Sequence, residues 1–236
     1  MLVLGFDTAT PYGTMALVEN NVPILDISLN AGKGGGEYLL SILEMLLKKV
    51  NRKVSEIELI IVGTGPGSYT GIRVGLAAAK GLSASLEVPV YGLNTLRIIA
   101  ENARYSYEWI ASVLDARRGE VYAALYHNKG DINTVETPMI IAADKFSIAL
   151  AELPKVLICG NAGEIYKETW LKYPNLQLAP IDWNRPFGYH VAQIGLNEFK
   201  KKKQDEEITP CYLRKVEAEL RLEEKLNATK NRTDEG

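Results

Sequence analysis

The chain has 236 residues, of which 47% are hydrophobic and 24% are charged, as in an ordinary folded protein. At roughly 150 residues per domain, this length predicts about one and a half domains. The formal net charge of −2 provides no global basic field that could hold a phosphate backbone. Two histidines and two widely separated cysteines exclude a His-rich metal centre, a zinc-finger spacing and a disulfide framework.

The start of the chain does not resemble a targeting segment. The apolar run Met1–Phe6 is too short for a signal-peptide core and lacks a basic flank. No run approaches the roughly 20 apolar residues of a membrane span. We therefore expect a cytoplasmic protein without membrane contact.

The first half of the chain alternates short apolar runs with turn residues and helical patterns. Strands are predicted at 2–7, 14–18, 22–29, 59–62 and around 88–92. Helices are predicted at 37–49, 68–86 and roughly 94–102. Asn20-Asn21 is typical of a hairpin turn between the second and third strands.

The pattern then restarts. A strand over 109–115 again ends in an acid, and a turn at 116–119 leads into a strand over 120–126. Later, a strand running into Gly160 matches the strand that runs into Gly63. Strand–acid–turn units are common in α/β proteins, but this order favours an internal duplication. Two similar halves would place a ligand cleft between them.

The end of the chain is more polar. After Tyr189 a helix is predicted to run to the lysines at 200–203, followed by an extended segment at 209–214. The lysines could contact nucleic-acid phosphates, but such a run is more commonly a solvated helix end. The charged residues 215–236 predict a flexible tail.

Two strand-end acids are candidate functional residues. Asp7 is followed by Thr8, Thr10 and a glycine turn, an arrangement that can place a carboxylate near magnesium and phosphate. Asp115 is the second copy, although two arginines occupy its turn. Strand-end acids often simply cap turns, so both interpretations stay open. Neither points to a catalytic residue or to a metal ligand set.

Small residues recur along the helix predicted over 68–86. Gly67, Gly71, Gly75 and Ala79 are spaced four residues apart and share one face. Glycine inside a helix costs about 1 kcal/mol relative to alanine, so this stripe predicts close approach of another backbone. The segment follows a strand and opens a helix, but it lacks the Lys-Ser/Thr of a phosphate-binding loop and the dinucleotide spacing.

The helix predicted over 37–49 is apolar around more than half of its circumference. Its polar residues form one narrow stripe, which consists of Glu37, Ser41, Glu44 and Lys48. A surface helix of a monomer usually has a narrower apolar band. The pattern therefore favours packing on two sides, against a sheet and against a partner, over burial in one large core.

These motifs together resemble a known family. The run Gly65-Pro-Gly-Ser-Tyr-Thr-Gly-Ile-Arg73 closely resembles the signature of the bacterial TsaB (YeaZ) family. Three other blocks resemble that family in the same order: Phe6–Thr10, Asp115–Tyr122 and Pro210–Arg214. The family usually has a histidine in the loop before its first helix, whereas this chain has Gly32-Lys-Gly-Gly-Gly-Glu37.

The resemblance implies an α/β fold of the actin-like and sugar-kinase-like (ASKHA) class, with two duplicated RNase H-like lobes. The lobes would span 1–103 and 104–214. It implies a noncatalytic subunit that binds and activates TsaD in threonylcarbamoyl transfer to the adenosine next to the anticodon of ANN-decoding tRNAs. TsaE would join the complex, and the partner proteins would supply ATP and metal, while this chain would have no cofactor of its own.

The resemblance also implies which residues contact TsaD. They belong to the two long helices and are Tyr38, Leu39, Ile42, Leu46, Gly71, Arg73, Gly75, Ala79 and Lys80. The same surface would form a homodimer when the chain is alone, so the two assemblies would compete. The alternative is an independent ATP-binding phosphotransferase or ATPase that uses Asp7 and Asp115. A stand-alone RNA-binding protein is disfavoured by the charge.

Overall fold

The structure is a computed structural model that describes residues 1–30, 32, 38–201 and 208–214. Several predicted features therefore lie outside the described residues: most of the loop before the first long helix, including Glu37, two of the four lysines at 200–203, and the tail at 215–236. No helix in the described part of the chain is long and apolar enough to cross a bilayer.

The first sheet is built by the first half of the chain. Its strands are β1 (Leu2–Asp7), β2 (Tyr12–Glu19), β3 (Val22–Asn30), β4 (Ile57–Gly63) and β5 (Val90–Leu93). They lie in the order β3-β2-β1-β4-β5, with β1 antiparallel to β2 and parallel to β4. The helices of this half are α1 (Leu39–Lys49), α2 (Tyr69–Leu86) and α3 (Thr95–Glu101).

The second sheet repeats the arrangement. Its strands are β6 (Trp109–Arg117), β7 (Glu120–Asn128), β8 (Ile132–Ala142), β9 (Val156–Cys159) and β10 (Leu176–Leu178). Their order is β8-β7-β6-β9-β10, and β6 is antiparallel to β7 and parallel to β9. The remaining helices are α4 (Ala143–Ala151), α5 (Ala162–Ile165), α6 (Lys167–Trp170) and α7 (Gly188–Lys201). The duplication predicted from the sequence is thus present in the strand order.

The two sheets exchange helices. Helix α7, from the second half, packs on the first sheet, where Val191 and Ala192 join the apolar cluster of Val3 and Ile61. Contact there is so close that a Cβ on Gly5 would lie 2.5 Å from the Ala192 nitrogen. Each β1 residue is buried because α1 and α2 cover the other face of the same sheet.

Helix α3 makes the reciprocal exchange. Leu96 and Ile99 lie in a cluster with Ile110 and Ala124 of the second sheet. The lobe boundaries at 1–103 and 104–214 stay a prediction, but apolar packing crosses them in both directions. Each sheet is therefore completed by a helix from the other half of the chain.

Candidate functional site

Asp7 lies in a fully buried position at the end of β1. Its Oδ1 accepts a hydrogen bond from the Ala9 backbone N–H at 2.7 Å, and its Oδ2 accepts one from the Thr95 hydroxyl at 2.6 Å. The side chain is inaccessible to solvent, and a Cβ on Gly63 would lie only 1.9 Å from Oδ2. Burial raises the pKa of Asp7, an effect that the two hydrogen bonds oppose.

The turn after Asp7 is fastened to helix α2. The Thr8 hydroxyl donates to the Gly71 carbonyl at 2.7 Å, and the Ser68 N–H donates to the Ala9 carbonyl at 2.7 Å. The Thr10 hydroxyl donates to the Tyr12 carbonyl at 2.8 Å. The side chains proposed to face a phosphate thus have partners within the chain, and the phosphate-turn hypothesis gains no support from this geometry.

Asp115 repeats the local contact of Asp7 in the second half. Its Oδ1 accepts from the Arg117 N–H at 2.9 Å, as Asp7 accepts from the residue two positions on, and also from the Tyr166 hydroxyl at 2.9 Å. Arg117, Arg118 and Gly119 turn the chain with positive φ angles. The capping interpretation therefore describes both acids. Among the residues that the structure describes, no three His, Cys, Asp or Glu side chains are grouped to hold a metal ion.

The glycine stripe of α2 faces the interior. A Cβ on Gly71 would lie 2.0 Å from the Thr8 carbonyl oxygen, and one on Gly75 would lie 2.4 Å from Thr8 Oγ1. Ala79 is fully buried in the core of the first sheet. The close approach predicted from the stripe is real, but the approaching backbone belongs to the chain's own turn. The predicted direct contact of Gly75 and Ala79 with TsaD is therefore wrong, because both residues are buried within the chain.

A different line of small residues faces solvent on α2. Ala77, Gly81 and Ala84 are exposed, and a Cβ on Gly81 would meet nothing within 4 Å. Arg73 and Lys80 are exposed on the same helix, and their contact with TsaD stays a prediction. The sequence does not single out this line, because the buried stripe contains more glycines and gives the stronger pattern.

Helix α1 divides its apolar side chains between core and solvent. Leu46 is buried in the core beneath the helix, so its predicted contact with a partner is wrong. Leu39 is also buried, but it lines the apolar groove beside α1, and its contact with a partner stays a prediction. Ile42 is half-buried, while the exposed fraction is 60% for Tyr38 and 54% for Met45. Leu40, which was not among the predicted contacts, is also exposed.

An apolar groove of about 310 Å³ runs beside α1. Tyr38, Ile42 and Met45 line it from the helix, and Met15 and Leu29 line it from β2 and β3. Because α1 and α2 pack on the same face of the first sheet, their exposed sides share one side of the molecule. We call the exposed residues of α1 and α2, together with the residue just before α1, the helix surface; they include Tyr38, Leu40, Met45, Tyr69, Arg73, Ala77, Lys80 and Gly81.

The chain is similar in sequence to known proteins. Residues 31–222 match the family model described as TsaD: tRNA N6-adenosine threonylcarbamoyltransferase. The Bacillus subtilis protein named tRNA threonylcarbamoyladenosine biosynthesis protein TsaB is 27% identical over 225 residues, covering 94% of this chain and 97% of that protein.

Solved structures show the same fold. YeaZ from Pseudomonas aeruginosa superposes with a TM-score of 0.77 at 22% identity, covering 90% of this chain and 99% of that one. A ROK hexokinase from Thermus thermophilus gives 0.50 at 13% identity, covering 86% of this chain and 100% of that one.

The duplicated sheets and the likeness to these solved structures show a two-lobed α/β fold of the ASKHA type. Matches to both sequences and structures extend over nearly the whole chain. The chain therefore belongs to the TsaB (YeaZ) family.

Proposed function

We propose that this chain acts in the biosynthesis of tRNA threonylcarbamoyladenosine, as a noncatalytic subunit that binds and activates TsaD. The observation that carries the proposal is the match to a TsaB protein of that biosynthesis over 94% of the chain. In this proposal TsaE joins the complex, tRNA is reached through it, and the partner proteins supply ATP and metal.

The strand-end acids support a noncatalytic role. Both oxygens of Asp7 accept hydrogen bonds inside a position closed to solvent, and Asp115 caps its own turn. A carboxylate that orders magnesium-bound water must face the ligand, which the buried Asp7 does not. The residues that would serve an independent ATPase are thus occupied by hydrogen bonds within their own halves of the chain.

The helix surface supports partner binding. The large exposed side chains of Tyr38 and Met45 line an apolar groove, an arrangement typical of interaction sites. Next to them, α2 contains two basic residues, Arg73 and Lys80, and no acid. The surface would therefore suit a partner that combines apolar side chains with carboxylates. The same apolar patch would form a homodimer in the absence of TsaD.

The first experiment is reconstitution. Purified TsaD and TsaE are assayed for modification of an ANN-decoding tRNA with and without this chain. We expect modification to depend on the chain, and equal activity without it would contradict the proposal. Calorimetry of the isolated chain with Mg-ATP addresses the independent ATPase: micromolar binding that is lost in Asp7→Ala would favour that alternative.

A matched pair of variants locates the surface. Met45→Arg places a charge in the helix surface, where 54% of Met45 is exposed, and should weaken TsaD binding at least tenfold. Ile148→Arg is the control, because Ile148 is 57% exposed on α4 of the second half. Affinity measured by calorimetry should be unchanged in the control. Equal loss in both variants would contradict the assignment of the surface.

A further inference from the structure

The segment Ile208–Arg214 crosses from one half of the molecule to the other. Ile208 is buried in the core of the first sheet, and its Cγ2 lies 3.3 Å from the position of a Cβ on Gly92. The Cys211 N–H donates to the Thr64 carbonyl at 2.8 Å, and Asn94 Nδ2 donates to Cys211 Sγ at 3.7 Å. These contacts fix the middle of the segment against the loop that precedes α2.

The end of the segment is fixed to the second half. The Arg214 guanidinium donates to a carboxylate oxygen of Glu120, the first residue of β7. Both side chains are only partly exposed, so solvent screens this ion pair less than a fully exposed one. The segment is thus anchored at both ends, with Tyr212 between the anchors.

Tyr212 contacts the first turn of α2. Its ring centroid lies 5.0 Å from that of Tyr69, with the planes inclined by 37°. Arg73 lies over the Tyr69 ring at 5.3 Å and donates from Nη1 to the Tyr69 hydroxyl at 3.0 Å. Tyr69 and Tyr212 stay 39% and 42% exposed, so two rings and a guanidinium form one accessible patch.

We infer that this patch of Tyr69, Arg73 and Tyr212 is part of the TsaD-binding site, and that the Arg214–Glu120 pair positions Tyr212 within it. The inference rests on the proposed function. Tyr and Arg are enriched among the residues that dominate binding energy at interfaces. The patch continues the helix surface at the amino-terminal end of α2. A complementary TsaD surface would place an apolar side chain on the rings and a carboxylate on Arg73.

The positioning role follows from the order of contacts along the segment. Arg214 is two residues from Tyr212 and lies on the other half of the molecule, outside the patch. Breaking the pair with Glu120 would leave Tyr69 and Arg73 in place but release one end of the segment that carries Tyr212. Its effect on binding should therefore pass through Tyr212 alone.

Calorimetric titration of TsaD with variants of the full chain tests the inference. Tyr212→Ala should raise Kd at least tenfold, and Tyr212→Phe should restore nearly full affinity because the ring is kept. Tyr105→Ala is the matched control, since Tyr105 is 94% exposed in the turn before β6, and its Kd should change less than twofold. Thermal unfolding of each variant shows whether a loss of affinity reflects loss of fold.

A double-mutant cycle separates positioning from general destabilisation. Glu120→Ala should raise Kd two- to fivefold in the parent chain and cause no further change in the Tyr212→Ala background. Additive effects would contradict the positioning role. If Tyr212→Ala keeps full affinity while Met45→Arg loses it, the inference fails and the proposed function stands. If neither variant loses affinity, the inference and the assignment of the helix surface both fail, whereas the proposed function fails only if tRNA modification does not depend on the chain.

A second copy of the chain is the competing occupant. Sedimentation velocity on the same variants measures self-association. If Tyr212→Ala abolishes self-association but leaves the affinity for TsaD unchanged, the patch serves the homodimer and the inference is overturned.

Discussion

Asp7 illustrates that an acid at the end of a strand can either serve a phosphate-binding turn or cap the turn itself. The sequence shows an acid before a threonine-rich turn, which fits both a phosphate turn and a simple cap. The choice depends on Thr95, which lies 88 positions further along the chain and donates to Oδ2. No local pattern around Asp7 contains that information, so the sequence alone left the two interpretations open. Asp115 has a different distant partner, Tyr166, which local spacing could not reveal either.

The buried position of Asp7 predicts a pH dependence of stability. Burial raises the folded-state pKa of Asp7 above its ordinary value of 3.8, so the folded state binds the proton more tightly than the unfolded state. Stability contributed by this group therefore falls as pH rises through the interval between those two pKa values. In Asp7→Asn this loss is absent, while the amide oxygen can still accept from the Ala9 N–H.

Denaturant unfolding from about pH 4 to about pH 7 measures the effect. We expect the unfolding free energy of Asp7→Asn to rise relative to that of the parent as pH increases. Asp131→Asn, at a side chain that is 82% exposed, is the matched control. Parallel curves for Asp7→Asn and the parent would contradict a raised pKa at this position.

At the scale of the element, periodicity predicted most of the first sheet and its helices. Helix α2 was expected over 68–86 and is observed at Tyr69–Leu86, with the Ser68 hydroxyl accepting from the Gly71 N–H. The sequence pattern of a helix does not reveal which side faces its own sheet. A side that packs on the sheet and a side that packs on a partner contain the same apolar residue types. This explains why the sequence predicts a partner contact for Leu46, which is buried.

The sequence did not give the bounds of several elements of the second half. The strand β8 has five consecutive exposed residues from Asn133 to Thr137, since it lies at the edge of its sheet. Without a buried alternation it lacks the signal that identified β6 and β7. Helices α5 and α6 have four residues each, too few to show a helical period. Helix α4 did carry a signal, because Ala143, Phe146, Ser147 and Leu150 recur at helical spacing and are all buried.

Two glycines in α2 should respond oppositely to the same substitution. Gly75→Ala would push a methyl group against Thr8 Oγ1 and disturb its bond to Gly71, at a cost of about 1–3 kcal/mol. Gly81→Ala meets open space and should stabilise the helix by up to about 1 kcal/mol. Thermal unfolding should show a lower midpoint for Gly75→Ala and a higher one for Gly81→Ala. Equal shifts would contradict the orientation of the helix.

At the scale of the whole molecule, the exchanged helices bind the halves into one folding unit. The apolar face of the first sheet that carries Val3 and Ile61 is covered by α7, and α3 covers the corresponding face of the second sheet. The sequence repeat predicted two similar lobes, which the strand orders support. It could not predict the exchange, because a helix pattern shows an apolar face without showing which sheet that face will meet.

The exchange predicts that the first half does not fold alone. A fragment of residues 1–103 should expose the Val3 face, bind a hydrophobic dye and unfold without a cooperative transition. The chain ending at Arg214 is the control and should unfold cooperatively, since it keeps α7. Circular dichroism during thermal unfolding measures both. Cooperative unfolding of the fragment would show that the α7 contacts are dispensable.

The exchanged α7 also has a consequence for synthesis on the ribosome. The last strand of the first sheet ends at Leu93, whereas α7 begins only at Gly188. At about 5–20 residues per second, the sheet waits on the order of 5–20 s for its covering helix. During that interval its uncovered face is available to chaperones and to other nascent chains. We therefore expect translation speed through the second half to affect the yield of the first.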